Sequence, residues 1–395
     1  MTQSSRCQPS HRWLTLTILS ISLLTVMAGA AVAPALGAVR AYFADTPPIL
    51  IQLIVSMPAL FIILTNLFFS QLCRLMRSRT IALLGLALYV CAGSGAFFCT
   101  HIGILLASRA VLGVAVGMLL PLSTGLLAYY FPPERMVHLM GLSAFMNQMG
   151  GVIATLLAGL LCTISWNCAF LIYLGGLVAM GLVLLFLPNE TLPQRPKKLS
   201  LWATLRKFHP SVAGMLLLML IFFIFPTHFA ITGLSMGLSQ QMTTLLMVGL
   251  DLIAALAGLT FGKLMAWLPR SMKYVAPACL LAGMMCLAFA SNVTALVAGC
   301  VLIGIATGLG VPYLNTIASI KGGKESTTTV MPLLAAALNG GQFLSPLLVT
   351  PCAHLFFGAD DPQGAYKVGI GVAVLYLLQT ITTRHRQMLP PRERG

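Results

Sequence analysis

The sequence predicts an all-α membrane protein of twelve transmembrane helices arranged as two six-helix bundles. Three observations predict it. Hydrophobic residues make up 58% of the 395-residue chain and charged residues 8%, against about 25% charged in an ordinary globular domain. Apolar runs of about 20 residues recur along the whole length, each long enough to cross a bilayer as a helix. Basic residues fall in alternate gaps between those runs, the signature of cytoplasmic loops.

The spans read as 13–37, 48–70, 80–99, 102–129, 138–163, 168–188, 211–232, 240–265, 274–291, 294–318, 329–355 and 366–383. The first begins after Arg12 and ends in small residues, a pattern it shares with signal peptides. Its apolar stretch is long enough to span and eleven more runs follow, so it counts as a helix. The second closes on a basic loop holding Arg74, Arg77 and Arg79, and the fourth carries Arg109 inside it. The ninth and tenth are parted only by Ser291 and Asn292. With the amino terminus inside, every Lys and Arg except Arg40, Arg109 and Lys367 falls in a cytoplasmic segment. A wrong helix count would scramble this alternation, so the chain reads as multi-pass in a bacterial inner membrane with both termini cytoplasmic.

The net charge of +15 is therefore a topology signal spread over short loops. No loop carries a basic run longer than two, which argues against nucleic acid as a partner. The lipid bilayer is the partner that composition demands. The ten cysteines are scattered without a CxxC pair or a histidine at ligand spacing, so neither a disulfide framework nor a metal site is expected. No GxxxxGK[ST] loop occurs, and no cofactor is expected.

The longest polar stretch, 188–210, lies at the midpoint. It divides the chain into an amino-terminal bundle (1–187), a cytoplasmic linker (188–210) and a carboxy-terminal bundle (211–395). An internal repeat supports the division. Gly113, Gly117 and Pro121 recur as Gly304, Gly308 and Pro312, each 191 residues on, and Gly150 recurs as Gly341 at the same offset, ahead of Pro346. Pro34 matches Pro226 at 192. Small residues four apart let helices approach closely, and prolines free carbonyls and permit bends. Parallel repeats of six spans are a transporter plan with the substrate site at the midplane.

Local motifs carry a family resemblance. "LLASRAVLGVAVG" (105–117) resembles the span-4 motif of the major facilitator superfamily, an Arg followed four residues later by Gly. "SQLCRLMRSR" (70–79) stands where that family has GxLaDrxGRR; Leu72 and Arg79 match, while Ser70, Arg74 and Arg77 depart from it. Span 5 resembles the drug–proton antiporter motif at Gly141, Gly150 and Gly159, with Ala154, Thr155 and Ala158 in place of expected residues. The resemblance implies two six-helix bundles, a cavity lined by spans 1, 4, 7 and 10, and a proton-relay role for Arg109.

Intramembrane polar residues are the candidates for function. Asp251 is the one acid placed in mid-span; a carboxylate there costs about 2.5–3.5 kcal/mol on insertion scales and marks a proton site or a paired structural group. Arg109 stays charged and needs carbonyls, water or a carboxylate, or else snorkels to the interface. His228, after Pro226, reads as a titrating group or as a satisfied intramembrane histidine. Asn147, Gln148, Asn315, Asn339 and Gln342 serve as helix–helix glue or as the few polar points of an apolar pocket. The reading is a monomeric secondary transporter exporting small amphipathic organic compounds at the expense of a proton gradient. A proton symporter or facilitator for a metabolite stays open beside it. An intramembrane enzyme is the distant alternative, since it would need clustered catalytic groups.

Overall fold

A bilayer-buried chain must satisfy its backbone internally, and every regular element among the described residues is a helix. The structure is a computed structural model that describes residues 11–131, 133–190, 201–268, 270–358 and 361–383. In order the α-helices are α1 (His11–Ala30), α2 (Leu36–Tyr42), α3 (Pro48–Leu75), α4 (Ser78–Gly95), α5 (Ile102–Tyr130), α6 (Pro133–Cys162), α7 (Gly176–Phe186), α8 (Leu201–Phe222), α9 (Ile224–Ser235), α10 (Gln240–Trp267), α11 (Met272–Ala288), α12 (Val293–Phe357) and α13 (Gly364–Thr382). Short 3-10 segments at Ala33–Ala35, Ala96–Phe98 and Trp166–Gly175 join some of them.

Eleven spans among the described residues are long and apolar enough to cross a membrane. The predicted ninth is the exception: α11 has 17 residues, about 26 Å of helix against a hydrocarbon core of about 30 Å. Asn292 marks where the next helix starts. Its side chain accepts a hydrogen bond from the Ala295 amide at 2.9 Å and caps α12, so the next helix begins at Val293.

The prolines break the helices where their chemistry dictates. Proline lacks an amide hydrogen and crowds the carbonyl four residues back. Four back from Pro34 is Ala30, the last residue of α1; four back from Pro226 is Phe222, the last residue of α8. Pro121 and Pro312 are accommodated inside α5 and α12. There the missing amide is the one that would have faced the carbonyl of Gly117 or Gly308.

Two differences from the sequence reading concern the loops. Residues 201–210, assigned to the linker, already form the start of α8; residues 191–200 lie outside the described set. The predicted gap at 319–328 is helical, so spans 10 and 11 run together as the 65-residue α12. It is not one straight rod. Gly310 abuts Leu218 of α8, and Gly341 abuts Leu216 of the same helix. A straight helix would carry 31 residues about 46 Å apart, so the path reverses between these glycines.

The chain divides into two compact units, Met1–Pro196 with Gly237–Leu245, and Lys197–Met236 with Leu246–Gly395. In the first, α3 packs on α5, α1 on α6, and α4 on α5 and α7. In the second, α8 and α11 pack on α12, and α11 packs on α13. The repeat reappears in the contacts inside each unit. A methyl group placed on Gly113 would sit 2.5 Å from the Pro58 carbonyl oxygen, and one on Gly304 would sit 2.8 Å from that of Leu250. Gly117 abuts Ile62 and Thr65, while Gly308 abuts Ala254 and Ala257. Gly150 meets the Leu23 carbonyl oxygen and Gly341 that of Leu216. Except at Gly117, where the Thr65 Cβ is nearest, the nearest atom is a backbone oxygen that cannot yield, so these glycines lie at close helix crossings.

This gives a direct test. A Cβ on Gly308 would lie 2.2 Å from the Ala254 carbonyl oxygen, whereas one on Gly249, on α10, meets nothing within 4 Å. Gly308→Val is expected to lower the thermal midpoint of detergent-purified protein, at an overpacking cost of about 1–3 kcal/mol. Gly249→Val should unfold close to the wild-type temperature. Equal behaviour of the two variants would contradict close packing at Gly308.

Candidate functional site

Arg109 is the most enclosed charge described. It lies in α5 and is 0% exposed, which excludes snorkelling to the interface. One Nη donates to the Tyr173 hydroxyl at 2.9 Å; the other donates to the Ser108 hydroxyl at 3.2 Å and to the Gly93 carbonyl at 3.4 Å. The guanidinium carbon lies 4.9 Å from the Phe170 ring centroid and 5.0 Å from that of Tyr173. Tyr173 donates onward to the Ala28 carbonyl of α1 at 2.8 Å. The charge is therefore held by neutral oxygens and two aromatic faces, all within the first unit. Cation–π contacts of this kind strengthen when desolvated.

Local structure makes room for this arrangement. Gly93 faces the Tyr173 ring, and a Cβ there would come within 2.4 Å of it. Tyr89 stacks edge-on against Tyr173, ring centroids 5.4 Å apart. Arg109 Nε and the Tyr89 hydroxyl are both buried without a hydrogen-bond partner. Sequence reasoning singled out Arg109 but missed Tyr173, Phe170, Tyr89 and Gly93. The available signal was the aromatic segment "WNCAFLIY" in span 6, which packs on α4.

Asp251 lies in the second unit. It is the twelfth residue of the 28-residue α10, about 17 Å along the helix and so at mid-depth. It is half-buried. Its neighbours Leu250, Ile253 and Ala254 turn toward Gly304 and Gly308 of α12, which ties the helix carrying the acid to the repeat's close crossing.

His228 lies in α9 and is 8% exposed. Its Nδ1 is 2.9 Å from the Thr227 hydroxyl and 3.1 Å from the Ile224 carbonyl. The Thr227 hydroxyl hydrogen is committed to the Phe223 carbonyl at 2.6 Å. Both neighbours thus offer lone pairs, and Nδ1 carries the proton of the neutral ring. Nε2 faces the Thr350 hydroxyl of α12 at 3.4 Å.

The neutral polar candidates divide by role. Asn147 accepts a hydrogen bond from Thr25 at 3.2 Å and links α6 to α1. Asn339 is buried and donates to the Ala335 carbonyl one turn back at 2.8 Å. Gln342 reaches the Met219 sulfur on α8 at 3.9 Å. Gln148 is exposed and Asn315 half-buried. Asn147 and Gln342 behave as helix–helix links, and Asn339 is satisfied within its own helix. Gln148 and Asn315 keep exposed surface. Pro346 is buried in α12. An apolar cavity of about 260 Å³ lies between α3 and α5, with Phe61, Thr65, Phe68, Val114 and Met118 among its walls.

The fold has many solved counterparts. The chain is similar to a bacterial homologue of the human lysosomal transporter Spinster in an inward-facing, occupied conformation (TM-score 0.76, 15% identity, 96% of each chain covered). It is similar to the nucleoside transporter NupG (TM-score 0.72, 13% identity, 95% of this chain and 100% of that one). It is also similar to a D-xylose–proton symporter (TM-score 0.73, 14% identity, 92% and 97%). No curated protein matches at the level of sequence. At these identities the likeness is one of fold. The sequence model of the Major Facilitator Superfamily matches residues 18–346, well over half of the chain. This protein belongs to the major facilitator superfamily of membrane transporters.

Proposed function

We propose that the chain is a secondary active transporter that exports small amphipathic organic compounds in exchange for protons by alternating access. The observation that carries this reading is Asp251, a carboxylate at mid-depth of the membrane-crossing α10. An acid at that depth is kept for function more often than for stability. Protonation removes its charge, so a proton can bias which conformation the helix tolerates. Within the first unit, the apolar cavity beside Thr65 suits the lipophilic part of such a compound, and the exposed amide of Gln148 suits its polar part. The glycine spacing of span 5, like that of drug–proton antiporters, supports export.

A second reading has its own support. Arg74 stands where the family's loop 2–3 acid is expected, and Ala154 breaks the span-5 motif. These departures favour a proton symporter or facilitator for a metabolite. The test is a broad panel of amphipathic compounds in cells with and without the protein. Export predicts lower steady-state accumulation of at least one compound, abolished by a protonophore. Accumulation unchanged across the panel, or insensitive to the protonophore, would sink proton-driven export.

The proposal includes a monomer in a bacterial inner membrane, bundles at 1–187 and 211–395, and both termini with the 188–210 segment in the cytoplasm, as the basic-residue distribution supports. Reporter fusions at Lys198 and Gln387 should both report cytoplasmic.

A further inference from the structure

We propose that the end of the second unit carrying Lys273 binds the headgroup of a glycerol-bearing anionic phospholipid, with the phosphate against Lys273 and the terminal hydroxyl in a polar cavity between α8, α12 and α13. The inference does not depend on the transport reading above. The cavity holds about 20 Å³, room for a single water-sized group. Ser211, Gly214, Lys273, Tyr313, Tyr376 and Gln379 are among its walls. They lie within about two turns of one end of their helices or spans, the depth at which helices leave hydrocarbon for headgroups.

The lining asks for a hydroxyl. Gln379 donates an amide hydrogen to the Pro210 carbonyl at 2.9 Å, which fixes the orientation of its amide. Its Oε1 is buried with no hydrogen-bond partner among the described residues. That acceptor needs a donor, and an ionised phosphate or carboxylate oxygen has none to give. Ser211 is 2% exposed and Tyr376 3%, and neither side-chain hydroxyl is hydrogen-bonded to a described residue. A ligand hydroxyl both donates and accepts, so it can serve Gln379 Oε1 and take a hydrogen bond from Ser211 or Tyr376. Gly214 leaves room for it: a Cβ there would lie 3.7 Å from Gln379 Oε1 and 3.5 Å from the Tyr376 ring.

The charge beside the cavity asks for an anion. Lys273 is partly exposed and stands in the first turn of α11, where the helix dipole is already positive. Ser271, at the N-cap, makes no side-chain capping bond. A cation there is at the wrong end of its helix unless an anion joins it. Arg206, Lys207 and Arg270 lie toward the same end. Of the acidic side chains described in this unit, Asp251 lies at mid-depth of α10, and Asp361 lies at the opposite end of α13, paired with Lys367. Neither offsets the charge of Lys273. A phosphodiester is the anion that a bilayer presents at headgroup depth, and basic residues near an anionic leaflet are drawn to it. Charge and hydroxyl together select a headgroup that is anionic and carries a free hydroxyl beyond its phosphate.

The test titrates the delipidated full chain in detergent with single lipids and reads one-lipid occupancy by native mass spectrometry. Phosphatidylglycerol carries both groups, phosphatidylethanol the anionic phosphate without the hydroxyl, and phosphatidylcholine neither net charge nor hydroxyl. Phosphatidylglycerol is expected to bind about fivefold more tightly than phosphatidylethanol, the worth of one neutral hydrogen bond. Phosphatidylethanol should bind about fivefold more tightly than phosphatidylcholine, the worth of one basic residue at an anionic surface. Lys273→Gln should remove the second preference. Gly214→Ser places its own hydroxyl beside Gln379 Oε1 and should remove the first, as should Gln379→Leu; the glycine variant keeps the test readable if Gln379→Leu does not fold. Equimolar soluble glycerol phosphate should not displace the lipid, and displacement would assign the site to a soluble ester instead. Equal affinity of the wild type for phosphatidylglycerol and phosphatidylethanol would mean that water alone fills the cavity, and it overturns the proposal. So does a hydroxyl preference that survives in Gly214→Ser, or a charge preference that survives in Lys273→Gln.

Discussion

Asp251→Asn is expected to fold, insert and accumulate like the wild type, yet to lose uphill transport. The amide is nearly isosteric with the carboxylate and costs less in hydrocarbon than the charge it replaces, so the half-buried position in α10 should accept it. What disappears is the group whose charge changes when a proton binds. A ligand shifts a two-state equilibrium only through its different affinity for the two states. A permanently neutral residue 251 leaves the proton gradient nothing to act on there. The expected readout in vesicles with an imposed pH gradient is a substrate concentration ratio that falls to about one, with downhill exchange of labelled for unlabelled substrate retained. A variant that accumulates normally and still builds the wild-type gradient would show that the carboxylate is structural. His228 would then be the next candidate for coupling, beside a facilitator with no proton site.

Arg109→Ala should have the largest effect on stability. The side chain is fully enclosed, makes three hydrogen bonds and lies against two aromatic rings. Truncating a buried side chain of that size leaves a cavity and costs about 3–5 kcal/mol. The Tyr173 hydroxyl would keep its bond to Ala28, but the Gly93 and Ser108 oxygens would lose their cationic donor. Arg109→Met separates packing from charge. Replacing a buried ion by an apolar group of similar volume is often neutral for stability. Methionine should therefore restore most of the thermal midpoint lost in the alanine variant, as read by thermal unfolding in detergent. Arg109→Lys should fail to restore it, because an ammonium cannot reproduce the planar fork that spans Tyr173 and Gly93. If alanine unfolds at the wild-type temperature, the cluster does not hold α1, α4 and α5 together. If methionine is stable but transport-dead, the charge serves transport, as the family motif implies.

The span list was legible because each span is a local property. Twenty apolar residues in a row commit a segment to the bilayer, whatever the rest of the chain does. Basic residues in the gaps set orientation one loop at a time. The repeat was legible for a related reason: Gly113 and Gly304 meet equivalent residues of α3 and α10, so the constraint recurs at the same spacing. Reading failed where a boundary depended on a neighbour. Asn292 is a residue type that caps helices, but the end of α11 at Ala288 is not marked in the apolar run before it. The helical continuation through 319–328 is likewise invisible in a polar, glycine-containing stretch that reads as a loop.

By itself, then, the sequence determined the solvent, the helical class, the near-twelve span count and the duplicated plan, because hydropathy and charge act over windows of one helix. Only the tertiary structure decided which groups the polar residues meet. Arg109 could have met a carboxylate, water or the interface, and the packing gave it Tyr173, 64 residues away. His228 could have been a lone core histidine, and the packing set it against Thr350, 122 residues away. A buried polar group takes whichever partner the surrounding helices bring within about 3 Å. That choice is made by helix crossings at Gly93, Gly308 and their like, and no local periodicity encodes it.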